Sequence, residues 1–203
     1  MWAKEKFYRT ILTKKLFFLL KFFLIYQLFI NTSFADIQKN LIGKLEETKT
    51  LTFNFKQKIA EKDETGICFI KYPFLMKCNY KNIKKKTIIS NGQTLAIIKK
   101  KYKKIYYYPI KTTPLFTILD KKKIINLIKK NKPTKIELDL IEFEFIDKKS
   151  NKLIIFFDKN TLQLKGWKTK DAYSNEVSFT ISDLKINNQI LDNFFKIPKE
   201  EDL

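Results

Sequence analysis

The sequence of 203 residues has no histidine, a single arginine, four glycines and two cysteines. Without histidine there is no Ser-His-Asp triad, no Cys-His dyad and no imidazole metal site. None of the four glycines falls in a G-x-G-x-x-G or G-x-x-x-x-G-K-[ST] phosphate cradle. The two cysteines, Cys68 and Cys78, are too far apart for a C-x-x-C redox pair. Most routes to enzyme chemistry are closed by these absences.

Positive charge is abundant instead: 41 Lys plus Arg stand against 21 Asp plus Glu, a formal net charge of +20. Such a balance points to nucleic acid or to an anionic membrane surface. Because Arg9 is the only arginine, the guanidinium fork used for base readout and bidentate phosphate recognition is missing, which argues against nucleic acid. The charge is also local. Lys81 to Lys135 holds 17 Lys and one acid, Asp120. A basic docking patch is expected at Lys99, Lys100, Lys101, Lys103 and Lys104, with an anionic membrane surface or an acidic loop of a partner protein as its transient partner.

The first 35 residues have the layout of a secretory signal peptide. Lys4, Lys6, Arg9, Lys14 and Lys15 precede an apolar stretch from Leu16 to Ile30, interrupted by Lys21 and Gln27. Ser33 and Ala35 then place small residues three and one before a cut after Ala35. A spanning helix needs about 20 apolar residues, more than this stretch supplies; an uncleaved N-terminal anchor is the alternative. The expected product is one exported domain, residues 36–203, in an oxidising compartment where paired cysteines form disulfides. Cys68 and Cys78 flank Pro73 symmetrically, so a hairpin turning there would set them opposite each other and permit a cross-strand disulfide. Two free buried thiols are the alternative.

Periodicity predicts a mainly β (α+β) domain. Ile37, Leu41, Ile42 and Leu45 recur at helical spacing. Leu51, Phe53 and Phe55 alternate with polar residues, as on a half-buried strand. The cysteine hairpin would carry Cys68, Ile70, Met76, Cys78 and Tyr80 on one face, followed by a second hairpin turning at Ser90-Asn91-Gly92. Tyr106-Tyr107-Tyr108-Pro109 reads as an edge strand. Thr112-Thr113-Pro114 then predicts a helix start, with the charges from Asp120 to Lys123 splitting the helical stretch in two. Ile136, Leu138 and Leu140 alternate again, and the change of phase at Ile141 predicts a bulge or tight turn. Four further strands are expected around Leu153–Phe157, Leu162–Trp167, Val177–Ile181 and Phe194-Phe195, with Lys199 to Leu203 as a loose tail. Short strands at this spacing suggest an antiparallel sheet that curls toward a barrel.

The order of these pieces resembles the LolA family of periplasmic lipoprotein carriers. The resemblance rests on Leu51-Thr52-Phe53-Asn54-Phe55-Lys56-Gln57, on Gly66 to Pro73, and on Ile89-Ser90-Asn91-Gly92-Gln93-Thr94-Leu95. It continues through Thr113-Pro114-Leu115-Phe116-Thr117-Ile118-Leu119, Asn175-Glu176-Val177-Ser178-Phe179, Asn188 and Phe194-Phe195-Lys196-Ile197-Pro198. It implies an incomplete antiparallel barrel whose short lid helices cover an apolar cavity for lipoprotein acyl chains. It also implies a monomer without cofactor or metal that takes lipoproteins from an inner-membrane ABC transporter and passes them to an outer-membrane lipoprotein receptor. In the family an arginine before the turn proline holds the lid closed; here Lys71 and Tyr72 precede Pro73, so a different or weaker latch is expected.

Burying a methylene is worth about 0.8 kcal/mol, so acyl cargo demands a large apolar wall. Phe53, Phe55, Phe69, Met76, Phe143 and Phe179, with Leu115, Phe116, Ile118 and Leu119 from the lid, are the candidate lining. A periplasmic lipid- or glycolipid-binding sensor on the same fold is the competing function. A carboxylate hydrolase using Glu142, Glu144 and Asp147 is disfavoured, since these acids alternate with Ile141, Phe143 and Phe145 as on a solvated strand face.

Overall fold

The computed structural model describes Lys21 and residues 36–81, 85–146, 152–171 and 174–203. The chain divides into two compact units, residues 1–41 and 42–203. Apart from Lys21, the leader expected over residues 1–35 lies outside the described residues. Among the described residues no helix is long and apolar enough to cross a membrane.

Helix α1 covers residues 36–47, as its apolar spacing predicts. Its exit is fixed by the Asn187 side chain, whose amide donates to the Glu47 carbonyl and accepts from the Lys49 N–H at 3.1 and 2.7 Å. Six strands follow as consecutive antiparallel hairpins: β1 (Thr50–Ile59), β2 (Lys62–Lys71), β3 (Leu75–Tyr80), β4 (Lys86–Asn91), β5 (Thr94–Lys99) and β6 (Lys104–Pro109). Helices α2 (Leu115–Leu119) and α3 (Lys121–Lys130) interrupt them. The chain then resumes with β7 (Lys135–Ile136), β8 (Leu140–Ile146), β9 (Lys152–Asp158), β10 (Leu164–Lys170) and β11 (Glu176–Ile186). The strand order is β6-β5-β4-β3-β2-β1-β11-β10-β9-β8-β7. This is a single curled antiparallel sheet that stays unclosed, with β6 and β7 as its edges.

Alternation places the core on one face, here called the apolar face. Register pairs Phe53 with Cys68 and Cys68 with Cys78, while Phe55 lies opposite Gly66 and Gly66 opposite Tyr80. Across the β1–β11 seam, Phe179 pairs with Trp167, Trp167 with Ile155 and Ile155 with Phe143. Phe179 is the centre of this packing: its ring stacks on Trp167 at 4.2 Å and on Phe55 at 4.7 Å, and meets Phe53 edge-on at 6.2 Å. Gly66 is required at its position because a Cβ there would sit 2.2 Å from the Asn79 carbonyl and 2.7 Å from the Phe55 ring. Phe55 and Tyr80 instead meet over the bare backbone at 4.8 Å.

Two irregularities bend the sheet near this seam. The β1–β11 register shifts at Phe53, opposite Asp183 with φ 51°, and the β9–β10 register shifts at Gly166 with φ 149°. An extra residue on one strand increases local twist, which favours curling over a flat sheet. The sequence suggests such an irregularity at Leu140/Ile141; the structure places a tight turn there, with Glu137 N–H donating to the Leu140 carbonyl at 2.9 Å. Leu138, read as a strand position, is consequently at a turn and 93% exposed.

Two more expectations are corrected at the C-terminus. Phe194-Phe195 is not a strand but part of a 3-10 turn, Asp192–Phe195. Nor is the last segment loose: Leu203 and Ile197 pack on a cluster of Ile89, Ala96, Ile98 and Ile105 on the face opposite the apolar one. The Glu200 carboxylate accepts from the Ile105 N–H at 2.8 Å, satisfying one donor of edge strand β6. The sheet therefore buries a second apolar patch on its far side.

Because Phe179 is enclosed by three aromatic neighbours, Phe179→Ala should cost about 3–5 kcal/mol of unfolding free energy, read by denaturant titration. A loss below about 1 kcal/mol would show that the stack is not central to stability.

Candidate functional site

The apolar face and the helices that join the sheet edges are the main candidate. Phe53, Phe55, Met76, Phe143 and Phe179 all lie on that face and are at most 5% exposed. Ile118 and Leu119 of α2 are buried, whereas Leu115 and Phe116 are half-buried. Phe69 is separated from the other nine. It has the opposite strand parity, pairing with Lys77, and its ring meets Phe194 edge-on at 4.9 Å on the far face.

The helical connection buries Ile118, Leu119, Ile124, Ile125 and Ile128, and polar contacts add to that packing at several points. Lys71 reaches the far face, where its ammonium contacts the Ile190 carbonyl at 2.9 Å and the Asp192 carboxylate at 2.6 Å. The Tyr72 N–H donates to the Lys49 carbonyl at 3.0 Å, and burial pushes its phenol pKa well above the ordinary tyrosine value. Pro73 follows in a cis peptide bond.

The residue that holds α2 is the next one. The Phe74 N–H donates to the Leu119 carbonyl at 3.0 Å, and the Phe74 ring stacks on Phe116 at 5.1 Å with the planes 8° apart. The Phe74 carbonyl accepts from the fully buried Ser90 hydroxyl at 2.6 Å, so the S-N-G hairpin braces the same turn. None of this is visible locally in sequence, because Phe74, Ser90 and Leu119 belong to different elements.

The break between the helices has a definite cause. Asp120 caps α3, its carboxylate accepting from the Lys123 N–H at 3.0 Å, and Lys121 donates to the Glu46 and Thr48 carbonyls at 2.9 Å each. No side chain caps the start of α2. Pro114 occupies the capping position of α2, and the Thr113 hydroxyl donates backward to the Ile110 carbonyl at 2.9 Å.

Other candidate residues are placed as follows. Cys68 and Cys78 are joined by a disulfide between the paired strands β2 and β3, with their Cα atoms 4.1 Å apart. Lys99, Lys100, Lys101, Lys103 and Lys104 surround the β5–β6 turn, where Lys100–Tyr102 forms a 3-10 turn and Lys103 has φ 48°. Tyr102, Tyr106, Tyr107 and Tyr108 are exposed beside them, so the edge of the sheet mixes aromatic rings with ammonium groups. Glu142 and Glu144 lie on the far face of β8, and Glu144 is paired with Lys152 at 2.7 Å; Asp147 is outside the described residues. Among the described residues no three acids or cysteines group to hold a metal ion.

A curled, unclosed antiparallel sheet with a helical connection between its edges is the LolA-like arrangement. The chain belongs to the LolA family: residues 46–198 match the family described as "Outer membrane lipoprotein carrier protein LolA". No curated protein matches the chain. Among solved structures it is similar to an uncharacterized conserved protein from Thermus thermophilus, at 7% identity and TM-score 0.50, covering 81% of this chain and 94% of that one. A LolA superfamily protein from Nitrosomonas europaea gives 9% identity and TM-score 0.43, covering 79% and 97%. LprF from Mycobacterium bovis gives 10% identity and TM-score 0.43, covering 77% and 97%.

Removing the Phe74 ring should loosen α2 without unravelling the sheet. An aromatic pair contributes about 0.5–1.5 kcal/mol beyond its buried area, so Phe74→Ala should speed hydrogen exchange of the amides in Leu115–Leu119 about tenfold. Amides of β1 and β11 should be unaffected; equal acceleration in both would mean that Phe74 supports the whole fold rather than the helix.

Proposed function

We propose that this protein is a periplasmic carrier that takes up lipoprotein acyl chains on its apolar face, beneath α2 and α3, and moves lipoproteins from the inner to the outer membrane. In this reading residues 1–35 are a cleaved signal peptide and residues 36–203 are a single monomeric carrier domain that uses neither cofactor nor metal. An inner-membrane ABC transporter loads it, and an outer-membrane lipoprotein receptor unloads it.

The observation that carries the proposal is the pairing of a broad aromatic face with an amphipathic helical connection that buries Ile118, Leu119, Ile124, Ile125 and Ile128 and turns its lysines outward. Acyl chains gain about 0.8 kcal/mol per buried methylene, so an extended apolar wall supplies affinity without any charged anchor. Release needs a cover that can exchange its own apolar contacts for those of the cargo, and an amphipathic connection with five buried aliphatic side chains supplies such contacts. Family membership supports the same cargo.

The basic and tyrosine-bearing edge at the β5–β6 turn gives the carrier its membrane contact. Tyrosine rings suit the interfacial layer, and each lysine near an anionic surface adds about 1 kcal/mol. Docking of this edge to anionic headgroups should weaken as salt rises.

The deciding experiment incubates inner-membrane vesicles and their lipoprotein-releasing transporter with the purified protein. A soluble complex with released lipoprotein is expected; binding of diacyl lipids with no lipoprotein release would instead make it a lipid sensor. Combined Lys101→Gln, Lys103→Gln and Lys104→Gln should weaken adsorption to phosphatidylglycerol vesicles about tenfold or more at low salt. Salt-insensitive adsorption, or adsorption unchanged by the three substitutions, would remove this edge from the transfer step.

A further inference from the structure

A second recess opens on the far face of the sheet, where β3, β4 and β5 meet the C-terminal segment. It encloses about 520 Å³, within the size range of small-molecule sites. Lys77, Lys85, Lys86, Lys100 and Lys196 line it together with Asn79 and Thr87, and no carboxylate is among the lining residues. Lys86 is paired with Glu64. Among the described residues, none of the ion pairs involves Lys77, Lys85, Lys100 or Lys196.

This concentration of one sign has a physical cost. Lys77 is half-buried, its ammonium 4.3 Å above the Phe194 ring, and desolvation together with the Lys100 charge holds its pKa below the ordinary lysine value. The charges come from four separate parts of the chain: mid-strand in β3, the entry to β4, the β5–β6 turn and the segment after Phe195. The Lys77 ammonium reaches the Phe194 carbonyl at 3.4 Å, and a bound anion would offset the repulsion that this contact leaves.

The neighbouring groups indicate the kind of anion. Lysine ammonium groups act as point charges toward phosphate and need no planar partner. The Thr87 hydroxyl donates to Asn79 Oδ1 at 3.2 Å, which leaves the Asn79 amide NH2 as a neutral donor beside the charges. Ile89, Ile98 and Pro198 complete the wall and lower the local dielectric, which strengthens ion contacts. We propose that this recess binds a phosphate group, held by Lys77, Lys100 and Lys196 with Asn79 beside them. The site lies on the far face from the aromatic seam and does not rest on the carrier reading.

Titration calorimetry with two probes tests the proposal and separates its possible sources. Inorganic phosphate represents a soluble ligand, and dihexanoyl phosphatidic acid below its micellar concentration represents a lipid headgroup. Saturable one-to-one binding of at least one probe is expected. That binding should weaken at least tenfold in Lys77→Met and in Lys100→Gln, and stay unchanged in Lys170→Gln. Phosphatidic acid binding that is at least tenfold tighter than phosphate and falls at least tenfold in Lys100→Gln would identify a lipid headgroup; anything less would identify a soluble phosphate compound. Lys100 is exposed, so Lys100→Gln keeps its fold even if Lys77→Met does not. Absence of saturable binding for both probes, or undiminished binding in Lys100→Gln, would overturn the proposal.

Discussion

The fold depends on the contact between its first and last strands. Every neighbour relation in the sheet except one joins strands that are consecutive in the chain, each closed by its own turn or connection. The exception is β1 against β11, which pairs Phe55 with Ile181, more than a hundred residues apart. A long-range pairing must offset the entropy of closing that loop, and backbone hydrogen bonds contribute little net free energy. The aromatic column of Phe55, Phe179 and Trp167 supplies the difference. It also explains why glycine faces Phe55 across β2: any side chain there would push the ring out of the column.

With the two meanders fused, the rest of the design follows from having two faces and two edges to satisfy. One face is aromatic and is associated with the helical connection. The other is split, solvated along β8 to β11 and covered by the C-terminal segment along β4 to β6. Edge β6 is protected by Glu200 at Ile105 and by lysines at its start, both of which discourage pairing with another chain. The lysine-rich region is thereby spread over the β5–β6 edge, the recess and the outer side of the helical connection.

Much of this architecture is legible in the sequence because strand alternation is a strictly local signal. The hairpins around Cys68 and Cys78 and around Gly92 can be placed because side-chain parity, turn residues and cysteine spacing all agree. Parity misleads where it continues by coincidence: Leu138 keeps phase with Ile136 although it sits at a turn, and Phe194-Phe195 has strand-like composition although it forms a 3-10 turn. Phe69 is misassigned for a related reason, since an aromatic residue on a strand can face either side when both faces carry apolar cover. The Phe74 fastening and the lysine recess are not legible at all. They join residues far apart in sequence, and neither a phenylalanine after a proline nor a scattered set of lysines carries a distinguishing local pattern.

The path of the helical connection limits how it can move. It leaves β6 through the Ile110–Thr112 turn and enters β7 a few residues beyond α3, so it is tethered to both rims of the sheet. A strap anchored at both ends lifts about two hinges, here the Ile110–Thr112 turn and the residues between α3 and β7. Its middle is held separately, by Phe74 at Leu119 and by Lys121 at the Glu46 and Thr48 carbonyls. The same two connections that let it lift also limit how far it can travel from the sheet.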